Sequence, residues 1–273
     1  MIDKYQIYLV SDSTGETLDR IFTAIKAQFE NFNYYSQQFS FTRTQNQINN
    51  ILEDAKKNKD SVILYTIVDN KLSNFLIKRA KEKNIPCFGV LDDLIINFSK
   101  LLKKKATHIP SGQHALNEEY YDRIEAIQFT MNHDDGNLTE DIEKSDIILL
   151  GVSRTSKTPT SIYLANRGYK TSNIPMINSK SVPEKIKKKS SLCIVGLTTE
   201  PERLHDLRKN RMNSIKETES TNYTNLEKIV KEVNDAKKIF KRYKWPIIDV
   251  SRKSVEETAA SVIKIYEINK KNA

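Results

Sequence analysis

Residues 151–158, Gly151-Val152-Ser153-Arg154-Thr155-Ser156-Lys157-Thr158, combine a glycine, three hydroxyl residues before the lysine, and a lysine followed by a threonine. An apolar run at 147–150 precedes them, and Pro159 with Ile162, Tyr163, Leu164 and Ala165 follows. That order predicts a strand, a tight turn and a helix. It matches G-x-x-x-x-G-K-[ST], the pattern of a phosphate-binding loop, except that Ser156 stands at the second glycine. The physical basis is the helix N-terminus, whose unpaired N–H groups and positive dipole end attract an anion. Lys157 adds a point charge, and Thr158 is a candidate ligand for a magnesium ion held by the same phosphates.

A second group of chemically capable residues is His133-Asp134-Asp135-Gly136, at the end of a helix expected over 117–131. Two readings stand for it: a turn that closes the helix, or a magnesium ligand and a base for a hydroxyl nucleophile. Near the start, Ser11-Asp12-Ser13-Thr14-Gly15-Glu16-Thr17 links a strand to a helix. Its hydroxyls suit either a helix cap or donors to a phosphate. Arg203, Arg208 and Arg211 form either a solvated helix face or a set of phosphate contacts, and Asp249 sits near the end of a strand.

The elements that must position these residues alternate along the chain. Strands are expected at 5–10, 37–42, 62–68 and 85–90, and helices at 45–57, 71–83 and 91–103, with a further apolar-periodic segment through Leu18, Ile21, Phe22, Ile25 and Phe29. Alternation of this kind implies a parallel sheet with helices on both faces, and ligands at the C-terminal ends of the strands. Residues 1–105 are therefore read as an N-terminal parallel-sheet α/β domain. The stretch 106–117 has Pro110, Ser111 and Gly112 together with His108 and His114 and no periodicity, so it reads as a linker or ordered loop. Residues 106–273 form the second α/β domain, with Tyr121, Ile124, Ile127 and Met131 as the expected apolar stripe of its first helix. Further strands are expected at 174–177, 192–197 and 245–250, and helices at 183–189, 200–212, 223–243 and 255–268.

Composition bounds the function. Of 273 residues, 38% are hydrophobic and 29% charged, which suits two soluble domains of roughly 100–150 residues. Apolar runs are far shorter than the roughly 20 residues of a membrane span, and the N-terminus has no signal-peptide pattern, so a cytoplasmic location is expected. Cys87 and Cys193 lie in apolar stretches and read as buried reduced thiols. The formal charge of +9 raises nucleic-acid binding, but the lysine runs at 101–106 and 185–190 lack interleaved aromatics. A basic face that attracts phosphorylated ligands is the better reading.

Five blocks in order, SDSTGET, RIEAIQF followed by HDDG, GVSRTSKTP, GLTTEPERL, and WPIIDVS followed by SVEETAA, resemble the pyruvate, phosphate dikinase regulatory protein family. Relatives within that family act on phosphoenolpyruvate synthase. The resemblance implies a P-loop-like α/β kinase domain at the C-terminal side and a bifunctional enzyme. One activity uses ADP to phosphorylate a target threonine and inactivate the target. The other uses inorganic phosphate to remove that phosphoryl group, releasing pyrophosphate. The family's nucleotide-binding segment corresponds to Gly151, Val152, Ser153, Arg154, Thr155, Ser156, Lys157 and Thr158. Lys157, Arg154, Asp134, Asp135 and His133 become the expected catalytic residues, with Thr158 toward Mg2+. A homodimer is expected for a regulator of a symmetric target.

Overall fold

The computed structural model describes residues 4–114, 116–137, 139–176, 181–187, 192–214 and 223–272. Ala115, Ile177 of the expected strand at 174–177, and Lys188 and Lys189 of the expected helix at 183–189 lie outside the described residues. The chain divides into two compact units, residues 1–115 and 116–273. The segment 108–114 falls in the first of these, whereas the sequence reading ended that domain at 105.

In the first unit β1 (Tyr5–Ser11), α1 (Glu16–Lys26), β2 (Tyr34–Phe39), α2 (Gln45–Lys56), β3 (Ser61–Thr66), α3 (Asn70–Glu82), β4 (Cys87–Gly89) and α4 (Asp92–Leu102) alternate as expected. The sheet is wholly parallel in the order β2-β1-β3-β4. Strand β2 begins three residues earlier than the apolar pattern predicts. It is an edge strand with exposed side chains, so its position is set by pairing from Tyr5 with Tyr34 to Val10 with Phe39. Helices α2 and α3 bury Ile48, Leu52, Leu76 and Ala80 against Tyr8, Val10, Ile63 and Tyr65 on one face. Helix α1 packs Leu18 and Phe22 on Ile7 and Leu9 on the other.

The second unit starts with α5 (Glu118–Asn132), then β5 (Ile147–Gly151), α6 (Lys157–Ala165), β6 (Thr171–Pro175), α7 (Glu184–Lys187), β7 (Cys193–Thr198), α8 (Pro201–Ser214), α9 (Leu226–Arg242), β8 (Ile247–Asp249) and α10 (Val255–Asn272). Its sheet is also parallel, ordered β6-β5-β7-β8. One face is closed by α8 and α9 through Leu204, Ile229, Val233 and Phe240. The other is closed by α6 and α10 through Leu164, Ala259 and Val262. Both cysteines are free thiols, Cys193 buried and Cys87 half-buried.

Helix α5 turns a different side inward from the expected stripe. Tyr121, Ile124 and Met131 are exposed, while Ala126 and Thr130 are buried. The Thr130 hydroxyl accepts from the Thr171 backbone N–H at 3.0 Å, so the helix lies close to β6 and only small side chains fit between them.

Gly196, in the middle of β7, faces the ring of the fully buried Phe240, and a Cβ there would collide with that ring. A closed core cannot move the ring aside. Gly196→Ala is therefore expected to destabilise the second unit by about 1–3 kcal/mol, checked as a lowered Tm in thermal unfolding followed by circular dichroism.

Candidate phosphate-binding site

Strand β5 is buried along its whole length and delivers the loop at its C-terminal end. Gly151 is required there, because a Cβ would lie 2.5 Å from the Thr155 hydroxyl and 2.7 Å from the Leu197 carbonyl oxygen. The Thr155 hydroxyl donates to the Val152 carbonyl at 2.9 Å and fixes the turn from inside. Arg154 (φ 72°) and Ser156 (φ 58°) both take left-handed backbone conformations. Ser156 thus adopts the conformation that the pattern's second glycine supplies, at a cost of roughly 1–2 kcal/mol. Helix α6 then opens at Lys157, and Pro159 sits in its first turn, where no N–H partner is needed.

Lys157 is only 5% exposed, and its ammonium donates to the Val152 carbonyl at 3.1 Å. Burial lowers its pKa from the ordinary lysine value to about 8; Asp135 and Asp134 pull it back up, and Arg208 and Arg154 press it down. The lysine is poised to gain from an incoming anion.

The acidic pair reaches the loop through one strand residue. Asn173 on β6, buried, donates its side-chain amide to the Asp134 carboxylate, and its Oδ1 accepts from the Asp135 backbone N–H at 3.1 Å. The same Asp134 oxygen accepts from the Thr158 hydroxyl at 3.1 Å. Asp135 sits in a left-handed turn (φ 50°) with its side chain exposed. The loop and the HDDG turn, far apart in sequence, therefore meet.

Arg208 on α8 is buried beside the loop. Its guanidinium pairs with Glu232 at 2.7 Å, donates to the Ser153 carbonyl at 3.4 Å and to the Tyr223 carbonyl at 3.2 Å, and lies over the Tyr223 ring. The Tyr223 hydroxyl in turn meets Ser153 Oγ at 3.2 Å and accepts from Arg154 Nε at 3.4 Å. Burial pushes the Tyr223 phenol up, but the Ser153 and Arg154 hydrogen bonds and the two arginine charges bring it below its usual value. Arg203 and Arg211 are exposed, so the three arginines of α8 divide.

His133 is buried, stacks on Phe129 and donates through Nδ1 to the Phe129 carbonyl, 2.8 Å away. Its backbone carbonyl accepts from Asn173 N–H at 3.1 Å, which ties the turn to β6. Its Nε2 has no hydrogen-bond partner among the described residues. Asp249 accepts from the Ser251 N–H and hydroxyl and shapes the end of β8.

In the first unit, α1 is capped by Gly15 in a left-handed conformation (φ 86°), without a side-chain cap. Ser13 and Thr14 are not caps because they serve the 108–114 segment: Ser13 Oγ accepts from Ser111, and Thr14 meets His114. His108 Nδ1 lies 2.8 Å from the Val68 carbonyl. The sequence marks Arg208 only as one of three arginines, on a solvated face or toward phosphates, and does not mark Asn173 or Tyr223; for Asn173 the signal is a polar residue inside an otherwise buried strand.

A parallel α/β unit with a strand–loop–helix turn of phosphate-binding pattern, a buried lysine and an aspartate pair held at the loop has the form expected of a phosphoryl-transfer site. The profile of the kinase/pyrophosphorylase family matches residues 7–263, and the chain belongs to that family. A relative from Pelagibacter ubique, named "Putative pyruvate, phosphate dikinase regulatory protein", is 70% identical over the full length of both chains. Relatives of the same name from Rhizorhabdus wittichii (42% identity over 99% of this chain and 97% of theirs) and Paramagnetospirillum magneticum (38%, over 96% and 84%) extend the likeness. No helix among the described residues is long and apolar enough to cross a membrane.

Between pH 7 and 10 a phosphate ester has already lost its second proton, whose pKa is about 6, so Lys157 governs the pH dependence of phosphate binding. The charged lysine dominates below about 8 and is lost above it. Affinity for a phosphate monoester, measured by calorimetry, is expected to be flat near pH 7 and to fall as pH rises through 8, toward tenfold per unit. Lys157→Met should remove the slope.

Proposed function

We propose that this chain regulates pyruvate, phosphate dikinase by reversible phosphorylation of a threonine on that enzyme, using ADP as donor and inorganic phosphate for the reversal. The observation that carries the reading is the meeting of Asp134, Asn173 and Thr158 at the opening of α6, beside a buried Lys157. The name shared by full-length relatives supports the target. Phosphoenolpyruvate synthase as target would use the same chemistry.

Phosphoryl transfer needs positioning and charge neutralisation more than covalent help. In the forward direction the loop N–H groups and Lys157 hold the ADP phosphates. The target threonine oxygen attacks the β-phosphorus, a new O–P bond forms, the bond from that phosphorus to the bridging oxygen breaks, and AMP leaves. The hydroxyl proton passes to the carboxylate of Asp135, which is exposed; Asp134 is committed to Thr158 and Asn173. Arg154, exposed on the loop, neutralises charge on the transferring group. In reverse, inorganic phosphate occupies the place of the β-phosphoryl group and attacks the phosphothreonine. A P–O–P bond forms, the threonine O–P bond breaks, Asp135 returns the proton, and pyrophosphate leaves.

The Thr158 hydroxyl and the Asp134 carboxylate, 3.1 Å apart, are oxygen donors of the kind Mg2+ accepts. Among the described residues no group of three or more His, Cys, Asp or Glu is arranged to hold a metal ion by itself, and an ion here would be held mainly by phosphates and water. When bound, Mg2+ supplies charge neutralisation at the phosphates, with Thr158 and Asp134 as its protein ligands.

The test is to incubate purified protein with each candidate target, ADP and phosphoenolpyruvate, and to measure threonine phosphorylation; phosphate is then added and pyrophosphate assayed. Phosphorylation with ATP but not ADP would overturn the donor assignment. Lys157→Ala is expected to lower both activities by at least about 10²-fold, and near-native survival of either one would rule out a shared site. Asp135→Asn is expected to lower kcat by about 10²–10⁴-fold while the KM for ADP changes little. A large KM effect with kcat retained would move the base elsewhere.

A further inference from the structure

The buried guanidinium of Arg208 is a costly group where it stands. Its Nε has no acceptor among the described residues, and its charge presses down on that of Lys157. Apolar side chains of similar volume often match or exceed the stability of a buried ion pair, so closing α8 on α9 does not account for Arg208–Glu232. The other contacts of the group do. Nη2 reaches Glu232 and the Ser153 carbonyl, Nη1 reaches the Tyr223 carbonyl, and the central carbon lies 4.7 Å from the centre of the Tyr223 ring. Tyr223 is half-buried and joins neither hydrophobic cluster of the second unit. Its position is therefore set by Arg208, through both backbone and ring face, rather than by core packing.

What Arg208 delivers is a phenol hydroxyl at the loop. It shares a hydrogen bond with Ser153 Oγ at 3.2 Å and accepts from Arg154 Nε at 3.4 Å. The second bond is long, yet among the described residues it is the one anchor of the Arg154 guanidinium, which has no carboxylate partner there. An exposed arginine without an anchor spreads over many rotamers, and ordering it later costs entropy. A charge that stabilises a transferring phosphoryl group contributes most when it is already in place. Holding the guanidinium by Nε does this without using either Nη group, so both remain as donors.

We propose that Tyr223 is a positioning residue for phosphoryl transfer: its hydroxyl anchors Arg154 by Nε and leaves the two Nη groups to the oxygens of the transferring phosphoryl group. Arg208 acts one step further back, by fixing Tyr223. The proposal rests on the phosphoryl-transfer reading of the loop. Arg154 meets the same phosphoryl group in the forward and the reverse reaction, so the anchor serves both alike.

Two measurements on the full-length protein separate the anchor from the reaction. With 15N-labelled arginine, the Nε–H signal of Arg154 is identified by its absence in Arg154→Ala. Its heteronuclear NOE is expected to be that of an ordered group, and Tyr223→Phe should reduce it to that of a free side chain with circular dichroism and Tm unchanged. In ADP-dependent threonine phosphorylation, Tyr223→Phe is expected to lower kcat about tenfold while the KM for ADP stays within about twofold. The reverse reaction should lose the same factor. Added to Arg154→Ala, Tyr223→Phe should cause no further loss, because the tyrosine acts through the arginine. An Arg154 signal that is mobile in the unaltered protein, or that stays ordered in Tyr223→Phe, overturns the anchor. Losses that multiply in the double variant overturn its use in the reaction. An ordered signal released by Tyr223→Phe, in a protein that phosphorylates no target with any nucleotide, overturns the phosphoryl-transfer reading and leaves the anchor itself supported.

Discussion

A buried ammonium group is the constraint on which the second unit depends. Leaving a cation out of water is expensive unless something nearby repays it, and Lys157 has one carbonyl partner and two carboxylates at longer range. Arg208, also buried, and Arg154 push the other way. The loop therefore carries positive charge that its own side chains only partly compensate. A phosphate placed against the N-terminus of α6 would complete the compensation, and the lowered lysine pKa is the physical signature of that unmet demand. Glu232 holds Arg208 in place without discharging the loop, because its partner is the guanidinium and not the lysine.

The same demand explains why Asn173 stands in a strand where apolar residues would pack more easily. Its amide has both a donor and an acceptor, so it can hold the Asp134 carboxylate and the Asp135 N–H together. A leucine there would bury more apolar area but leave the HDDG turn without its tie to the sheet. Asp134 would lose one donor and Asp135 its backbone partner, and the left-handed conformation at Asp135 would lose its support. The strand gives up packing to set the position of a carboxylate.

The parts readable from sequence were those in which neighbours along the chain decide the outcome. The loop 151–158, the HDDG turn and the alternation of strands and helices are local patterns, and each lies within a few residues of where it was expected. The parts that escaped were decided by tertiary approach. Helix α5 carries two possible faces, and its closeness to β6 selects the side with Ala126 and Thr130 over the side with Tyr121 and Ile124. Arg208 looks like its exposed neighbours Arg203 and Arg211 until α9 brings Glu232 to it. Ser13 and Thr14 have the composition of a cap, yet the segment 108–114 recruits both hydroxyls, and no local pattern encodes that return.

The two units show what a shared plan does and does not confer. Each has four parallel strands in the same spatial order, a hydroxyl-rich turn after the first strand of the unit, and a left-handed residue just before the next helix, Gly15 in one and Ser156 in the other. The next residue differs in sign. Helix α6 opens with Lys157, while α1 opens with Glu16, whose carboxylate is 2.9 Å from Arg20 one turn on. A carboxylate at a helix N-terminus already satisfies the dipole and repels a second anion. The first turn also has a buried aspartate, Asp12, committed to the Val68 N–H. Two turns of similar backbone thus open their helices with side chains of opposite charge, and the fold alone assigns phosphoryl chemistry to neither. In the proposed function it falls to the lysine at the start of α6 and the aspartates that β6 holds against it.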